Sequence, residues 1–328
     1  MFKDRRSPEV FFKQWINENR RQNCDIQEVK MKARYITPAV TVMGKDGTID
    51  FEGCGKVYEH LIEGGVDGIL LLGSIGEFFA LTMEQKKDLI RFAVDKIAHR
   101  TQLIVGTTSM VFEELLALSR FAGEEGADAI ILLPPYYFPL SPEGLETYYA
   151  RIAEALPEQS IYLYNFPDRT GYDLTPEITL RLVRKYRNIV GYKDTQAGMD
   201  HTRELIKLVK GEFPAFEVYS GFDDNFAHNV LAGGDGCIAG LSNLVPGLCH
   251  AWTEAFARED LVEAAAIQQK IDLLMEIYQV GTPFIPYIKE AMAIKGIIGS
   301  AASSLPFPEA DPGDSEKIRG ILKKAGLL

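Results

Sequence analysis

The sequence predicts an α/β fold in which eight parallel strands close into a (β/α)8 TIM barrel, followed by a C-terminal helical domain. Eight short apolar runs lie between residues 36 and 239, and segments with helical periodicity separate many of them. The runs are nearly continuous in apolar residues, which is typical of parallel strands buried on both faces. Eight is also the number of strands that closes a barrel of about 250 residues.

In chain order, the apolar runs predict strands at 36–42, 68–72, 103–106, 129–133, 161–164, 189–193, 216–220 and 236–239. Helical periodicity predicts intervening helices that include 85–97, 113–122, 143–155, 177–186 and 201–209. Thr82 with Gln85 matches a capping box, and Ser141 and Thr175 each precede a proline at the first helical position. An open doubly wound sheet is the alternative fold. Its dinucleotide-binding form is disfavoured because the first strand–helix turn has no GxGxxG motif.

The two ends of the chain differ from the barrel pattern. Residues 1–33 are polar and charged, with apolar positions between 10 and 16 that suit one short helix, and they are predicted to form an N-terminal extension. Residues 34–258 are predicted to form the barrel. Residues 259–328 are predicted to form the helical domain, with helices at 261–278, 284–298 and 316–324. This domain is expected to cover the barrel or to build an oligomer contact.

Composition narrows the class of partner. The 328 residues carry a formal charge of −11, which argues against nucleic acid or an anionic membrane as partner. No apolar run approaches the roughly 18 residues of a membrane span. Four scattered cysteines without a CxxC motif predict a reduced, cytoplasmic setting. The five histidines show no metal-ligand spacing, so no metal is expected.

Lys193 is the first candidate for catalysis, because it closes the apolar strand of the segment NIVGYKDT. The carboxyl ends of the strands supply the reactive groups of such barrels. A lysine amine surrounded by apolar groups loses the hydration that favours its charged form, and a neutral amine can attack a ketone to form a Schiff base. The alternative is a lysine whose stem lines the strand while its amine reaches solvent. Tyr164 closes the preceding strand, within reach of the same substrate as an acid–base group.

The turn Gly73-Ser74-Ile75-Gly76-Glu77 follows the second strand and precedes a capped helix. Its backbone amides are suited to form an anion nest for a carboxylate. Glu77 is expected to brace the turn by hydrogen bonding. The glycines alone are a weak signal, since any tight strand–helix turn favours them.

Further strand ends offer groups for the rest of a substrate. Arg169 can clamp an anionic or hydroxylated group, or pair with a surface acid. Asp223 and Asp224 are most simply a helix cap and a first-turn acid; binding sugar hydroxyls is the other interpretation. The run Gly233-Gly234-Asp235-Gly236 is similar to the glycine-rich phosphate sites of barrels, so a phosphate-binding barrel such as a phosphosugar isomerase is an alternative function.

Three ordered motifs resemble the dihydrodipicolinate synthase/N-acetylneuraminate lyase family. They are Gly73-Ser74-Ile75-Gly76-Glu77, Tyr164-Asn165-x-Pro167 and Gly191-x-Lys193-x-Thr195. The resemblance covers about residues 34–300. It implies a (β/α)8 barrel with a C-terminal helical domain, a homotetramer built as a dimer of dimers, and pyruvate carried as a Schiff base on Lys193 without a separate cofactor.

The resemblance also implies roles for single residues. Tyr164 would shuttle protons, and Ser74 with the amides of Ser74 and Ile75 would hold the pyruvyl carboxylate. Tyr137 would complete a proton relay across a subunit interface. The backbone carbonyl of Ile238 would line the pocket, and Thr195 and Gly221 would contact substrate.

The sequence favours a branch of the family without fixing the substrate. Ser220-Gly221-Phe222-Asp223-Asp224 and Gly281-Thr282-Pro283-Phe284 are similar to 2-keto-3-deoxy-gluconate/pentonate aldolases, so cleavage of a 2-keto-3-deoxy sugar acid to pyruvate and an aldehyde is expected. Arg169 instead matches the synthase pattern, in which pyruvate condenses with aspartate semialdehyde. A non-catalytic sensor that retains the pocket is a third alternative.

Overall fold

Eight parallel strands form a closed barrel in the computed structural model, which describes residue 31 and residues 33–328. Each strand pairs with the next along the chain, and the first pairs with the last. The strands are β1 Arg34–Pro38, β2 Gly68–Leu71, β3 Gln102–Gly106, β4 Ala129–Leu132, β5 Ile161–Asn165, β6 Ile189–Asp194, β7 Glu217–Ser220 and β8 Gly236–Ile238. The predicted barrel is therefore confirmed.

Helices follow the strands around the barrel. Within residues 33–328 they are α1 Phe51–Glu63, α2 Met83–Ile97, α3 Phe112–Glu125, α4 Pro142–Ala155, α5 Pro167–Thr170, α6 Pro176–Lys185, α7 Asp200–Leu205, α8 Phe226–Leu231, α9 Pro246–Ala257, α10 Leu261–Met275, α11 Ile285–Ile294 and α12 Pro312–Lys324. The predicted capping box of Thr82 and Gln85 is present, and Ser141 and Thr175 cap α4 and α6. In the described part of the chain, no helix is long and apolar enough to span a membrane.

The first strand ends earlier than its apolar run predicts. Residues 39–42 are buried, but after Ala39 they leave the ladder, and Met43 pairs with Ile49 in an antiparallel bridge. This small loop leads into α1, whose first turn is capped by Asp50 through a 2.8 Å hydrogen bond from the Gly53 amide. The apolar run therefore predicts a longer strand than the structure contains, because residues 39–42 are buried without continuing the ladder of hydrogen bonds.

Polar side chains close the amino end of the barrel. The Arg34 guanidinium donates to the Tyr219 hydroxyl at 3.0 Å and to the Glu217 carboxylate at 3.3 Å. Tyr162 also donates to Glu217, and Arg34 reaches Gln102 on β3. Buried polar groups are stable when paired in this way. We call this cluster the amino-end plug. Because it fills the amino end, the reactive groups are expected at the carboxyl end of the barrel.

Helices α10, α11 and α12 follow the barrel as the expected C-terminal helical region. Residues 33–328 belong to one compact unit, so the boundary between 258 and 259 stays a prediction. The predicted N-terminal extension, including its short helix, lies outside the described residues except for residues 31 and 33.

Candidate active site

A cavity of about 240 Å³ lies at the carboxyl ends of the strands. Its walls come from the ends of β1, β5, β6 and β8, the loops after β2 and β7, and the C-terminal region. The structure brings most of the predicted site residues together there. Its lining includes Ser74, Ile75, Tyr164, Phe166, Arg169, Lys193, Thr195, Gly221, Asp223, Ile238, Tyr278 and Phe284.

Lys193 occupies the centre of the site. Its side chain is 4% exposed, and in the β5–β6 ladder Lys193 pairs directly with Tyr164. Its Nζ atom lies 4.2 Å from the centroid of the Tyr164 ring. Within residues 33–328, no carboxylate lies at salt-bridge distance from this amine. The amine is therefore free to react with a carbonyl group in the cavity.

The turn after β2 faces this amine. The Ser74 hydroxyl lies 3.5 Å from the Tyr164 hydroxyl, which links the turn to the strand ends. In the described part of the chain, the backbone amides of Ser74 and Ile75 donate to no other group. Free amides in a tight turn suit an anion, as the sequence predicts.

Glu77 braces this turn from the C-terminal region. It sits in the left-handed backbone region at φ 58°, and its carboxylate pairs with Lys289 while both side chains are fully buried. The same carboxylate accepts the Ser304 amide at 2.7 Å, and Lys289 also donates to the Ala302 carbonyl at 2.9 Å. The sequence predicts the bracing role of Glu77 but gives no indication of Lys289.

Arg169 lies on α5 at the border of the cavity. Its guanidinium stacks 5.4 Å above the Phe166 ring, a favourable cation–π geometry. Among the described residues it forms no ion pair, so the alternative of a surface acid partner is not observed. Its charge is available to an anionic group of a substrate.

Asp223 faces the cavity, whereas Asp224 does not. Burial raises the pKa of Asp223, and this effect is partly offset by hydrogen bonds from Tyr35, from the Leu241 amide at 2.9 Å and from Tyr278 at 3.0 Å. The predicted helix cap is wrong, because these donors draw the carboxylate of Asp223 into the barrel. Asp224 is an exposed acid in the first turn of the short 3-10 helix Asp223–Asn225, as its simpler interpretation predicts. It does not line the cavity, contrary to its predicted place in the substrate site.

Thr195 and Gly221 form a close contact on the cavity wall. The Thr195 hydroxyl is buried and has no hydrogen-bond partner among the described residues. A Cβ atom on Gly221 would overlap this hydroxyl, so only glycine fits at that position. A buried hydroxyl without a partner is costly unless a ligand pairs with it. Ile238 on β8 lines the opposite part of the cavity, as predicted.

Two predicted groups lie elsewhere. Tyr137 is 77% exposed, packs edge-on against Phe138 at 4.9 Å and does not line the cavity. Its role across a subunit interface stays a prediction. The glycine run at residues 233–236 precedes β8, so it lies at the amino end of the strand, where Asp235 pairs with Lys210 at 2.7 Å. The predicted phosphate site is therefore wrong, because such sites follow the strands.

A cluster of polar side chains lies beneath Lys193, and the sequence gives no indication of it. The Asp194 carboxylate accepts from His201 at 2.8 Å, from Thr202 at 2.7 Å and from Asn165 at 3.1 Å. Asp173 lies on the far side of the imidazole, 3.3 Å from Nε2 of His201. Asp194 directly follows the candidate lysine, so the cluster fixes the end of β6. Its parts come from four separate segments, and no local motif joins them.

His201 should give the folded state a pH-dependent stability. Burial lowers its pKa, but the hydrogen bond to Asp194 and the charges of Asp194 and Asp173 outweigh this effect and raise the pKa overall. Stabilisation from the protonated imidazole is complete below the unfolded pKa of about 6.5 and is lost as pH rises through the higher folded pKa.

We therefore expect His201→Gln to flatten the decline in unfolding free energy just above about pH 6.5, measured by urea denaturation. The exposed His228 serves as control, and His228→Gln should retain the wild-type slope. An unchanged slope in His201→Gln would contradict the assignment.

The fold and the cavity define a (β/α)8-barrel protein whose reactive groups come from strand ends. Comparison with protein families then gives its membership. The profile of the Dihydrodipicolinate synthetase family matches residues 31–325, nearly the whole sequence. The chain belongs to this family and is a lyase of the aldolase and synthase kind.

Two relatives in sequence and one solved structure illustrate which members of the family this chain is similar to. The probable 2-dehydro-3-deoxy-D-pentonate aldolase YjhH of Escherichia coli is 36% identical over 304 residues, which are 92% of this chain and 99% of YjhH. The 4-hydroxy-tetrahydrodipicolinate synthase of Kosmotoga olearia is 35% identical over 295 residues, 90% of this chain and 99% of that protein. The crystal structure of YagE from E. coli K12, a prophage protein of the dihydrodipicolinic acid synthase family in complex with pyruvate, matches with a TM-score of 0.88 at 34% identity. That match covers 90% of this chain and 99% of YagE.

Proposed function

We propose that this chain is a class I pyruvate aldolase that cleaves a 2-keto-3-deoxy sugar acid to pyruvate and an aldehyde. The observation that carries this proposal is the buried Lys193 amine, 4.2 Å from the Tyr164 ring in one cavity with Ser74. The names of two relatives, the probable 2-dehydro-3-deoxy-D-pentonate aldolase YjhH and the putative 2-dehydro-3-deoxy-D-gluconate aldolase YagE, support the same branch. The pyruvate bound to YagE supports the same keto acid.

The proposed mechanism assigns each group one task. The amides of Ser74 and Ile75 hold the substrate carboxylate, which places C2 beside Lys193. The amine attacks C2, water leaves, and the resulting iminium accepts the electrons of the breaking C3–C4 bond. Tyr164 takes the proton of the C4 hydroxyl as the aldehyde forms. Tyr164 then returns this proton to C3 of the remaining enamine, and water hydrolyses the iminium to release pyruvate and restore the Lys193 amine. In this scheme the covalent Schiff base replaces any cofactor or metal.

The groups around the lysine support recognition of the distal hydroxylated part. The unpaired Thr195 hydroxyl and the Asp223 carboxylate both face the cavity. Arg169 is the observation that favours the second candidate, because its free guanidinium suits the carboxylate of aspartate semialdehyde. Condensation of that aldehyde with pyruvate would use the same enamine.

An activity panel separates these candidates. The purified full chain should release pyruvate from 2-keto-3-deoxygluconate or a 2-keto-3-deoxypentonate, followed through a coupled NADH assay. It should consume pyruvate with aspartate semialdehyde at least tenfold less efficiently in kcat/KM. The reverse order would support the synthase, and pyruvate binding without turnover of either partner would support the sensor.

We also propose a homotetramer in the cytoplasm. Cys54, Cys237 and Cys249 are buried free thiols, which suits a reducing compartment. Met110 and Val111 after β3, and Tyr137 and Phe138 after β4, are large apolar side chains exposed to solvent, and Tyr137 packs against Phe138. Exposed apolar side chains of this size support contact with a second copy.

Charge placed at Phe138 should weaken the assembly. We expect Phe138→Asp to shift the sedimentation coefficient toward a smaller species, because burying an unpaired carboxylate opposes association. Leu305→Asp provides the control, since Leu305 is 88% exposed and belongs to the C-terminal region, not to the loops after β3 and β4. Wild-type sedimentation as a monomer would contradict the proposed assembly.

A further inference from the structure

A second cavity, of about 330 Å³, opens beside the candidate active site. The two cavities share a border formed by Ser74, Phe166, Arg169 and Phe284. The Ser74 hydroxyl on this border lies 3.5 Å from the Tyr164 hydroxyl. The second cavity therefore begins next to the Tyr164 hydroxyl, which exchanges a proton with the aldehyde oxygen in the proposed reaction.

This second cavity is aromatic. Phe79 stands edge-on to Phe78 at 5.6 Å and to Phe307 at 5.4 Å. The other apolar walls are Leu133, Tyr136, Phe166, Pro283, Phe284 and Ile285. Aromatic rings arranged in this way bind a further ring by edge-to-face and offset contacts.

Among the described residues, the phenylalanine side of this cavity offers no hydrogen-bonding group to sugar hydroxyls. The hydroxyl of Thr170, one of its few polar groups, already donates to backbone carbonyls of Phe166 and Tyr172. Within residues 33–328, no buried polar side-chain atom that lacks a partner lines it. The other polar residues of the wall are Tyr136, Thr282 and the two border residues Ser74 and Arg169. Sugar hydroxyls placed against the phenylalanine side of the cavity, away from these groups, would lose their hydration without compensation. A phenyl ring carries no hydroxyl groups, so it loses no such hydration when it enters the cavity.

Size and access also suit a ring. Benzene occupies an engineered apolar cavity of about 150 Å³ in another protein, so the space here is sufficient for a phenyl group. Phe79 is 45% exposed and Tyr136 is 37% exposed, which leaves the outer side open.

We propose that the cavity bounded by Phe78, Phe79, Phe284 and Phe307 receives the aryl group of an aromatic aldehyde. The chain then has a second activity, the reversible aldol addition of pyruvate to aryl aldehydes, which rests on the proposed Schiff-base function. C3 of the pyruvyl enamine bonds to the aldehyde carbon, and Tyr164 gives its proton to the aldehyde oxygen. Water then hydrolyses the iminium, which releases a 4-aryl-4-hydroxy-2-keto acid, restores the Lys193 amine and returns the proton to Tyr164.

The test compares two cleavage reactions of the full chain, both of which release pyruvate. We expect kcat/KM for 4-hydroxy-2-keto-4-phenylbutanoate to equal or exceed that for 2-keto-3-deoxygluconate. Phe79→Asn should lower the ratio of aryl to sugar-acid kcat/KM at least tenfold, because it places an amide against the ring. Phe79→Leu should keep the ratio within threefold. Leu305→Asn, exposed and outside the cavity, should leave it unchanged.

The outcomes separate this proposal from the function on which it rests. Cleavage of the sugar acid and borohydride labelling of Lys193 with pyruvate, without release of pyruvate from the aryl substrate, would overturn the aryl activity alone. The absence of labelling and of both cleavages would remove the Schiff-base function as well. A Phe79→Asn variant that changes its sedimentation but not the substrate ratio would show a contact between copies at this cavity and would overturn the proposal.

Discussion

Replacing Lys193 with methionine should abolish pyruvate release, with a loss in kcat of at least about 10⁴-fold, as expected when a covalent nucleophile is removed. Methionine keeps an unbranched chain of similar length in the buried strand end, where lysine is only 4% exposed. The fold should therefore survive while the amine is lost. Borohydride reduction with pyruvate, followed by peptide mass analysis, should label wild-type Lys193 and leave the variant unlabelled.

Two controls make this result specific. Lys207→Met removes a lysine whose side chain is 78% exposed and should be labelled at Lys193 like the wild type. Tyr164→Phe keeps the amine and should still be labelled, while turnover falls by about 10²–10⁴-fold through loss of the acid–base group. Labelling of another lysine, with Lys193 unmodified, would refute the proposed chemistry.

Replacing Lys289 with methionine should cost about 3–5 kcal/mol of stability, because it leaves the fully buried Glu77 carboxylate without its cation. The loss should appear as a lower denaturation midpoint in urea. In variants that still fold, the KM for the keto acid should rise more than kcat falls, because Glu77 braces the turn whose amides hold the carboxylate.

The double variant separates charge from packing. Glu77→Gln in the Lys289→Met background removes the unpaired charge and should recover part of the lost stability, since replacement of both partners of a buried pair costs less than removal of one. Lys56→Met serves as control, because it breaks an exposed pair with Glu52, which contributes little to stability. Equal stability of Lys289→Met and Lys56→Met would show that the buried pair does not brace the fold.

Much of the fold could be predicted because each buried strand appears in the sequence as a continuous run of apolar residues. All eight strands coincide with apolar runs, and the ends of those strands located Lys193 and Tyr164. The structure places these two residues opposite each other in the β5–β6 ladder. The convergence of strand ends is a property of the barrel itself, so the prediction needed no contact information.

The wrong role of Asp223 and the missed Lys289 both depend on contacts that are distant in sequence. The carboxylate of Asp223 turns inward because Tyr35 and Tyr278 donate to it, and these lie 188 and 55 residues away. Glu77 and Lys289 are 212 residues apart. The glycine run at 233–236 was a different error: it precedes its strand, so its position relative to β8 already excluded a site at the carboxyl end.

The amino-end plug has a kinetic consequence. Arg34, Glu217 and Tyr219 are bonded across the far end of the barrel, whereas the cavity lies at the carboxyl end, where reactants and products are exchanged. In the proposed reaction pyruvate stays tethered to Lys193, deeper than the aldehyde. Product release is therefore ordered, with the aldehyde leaving first and pyruvate last. Free pyruvate then competes with the incoming keto acid for the free enzyme. The aldehyde instead binds the enzyme that already carries pyruvate on Lys193.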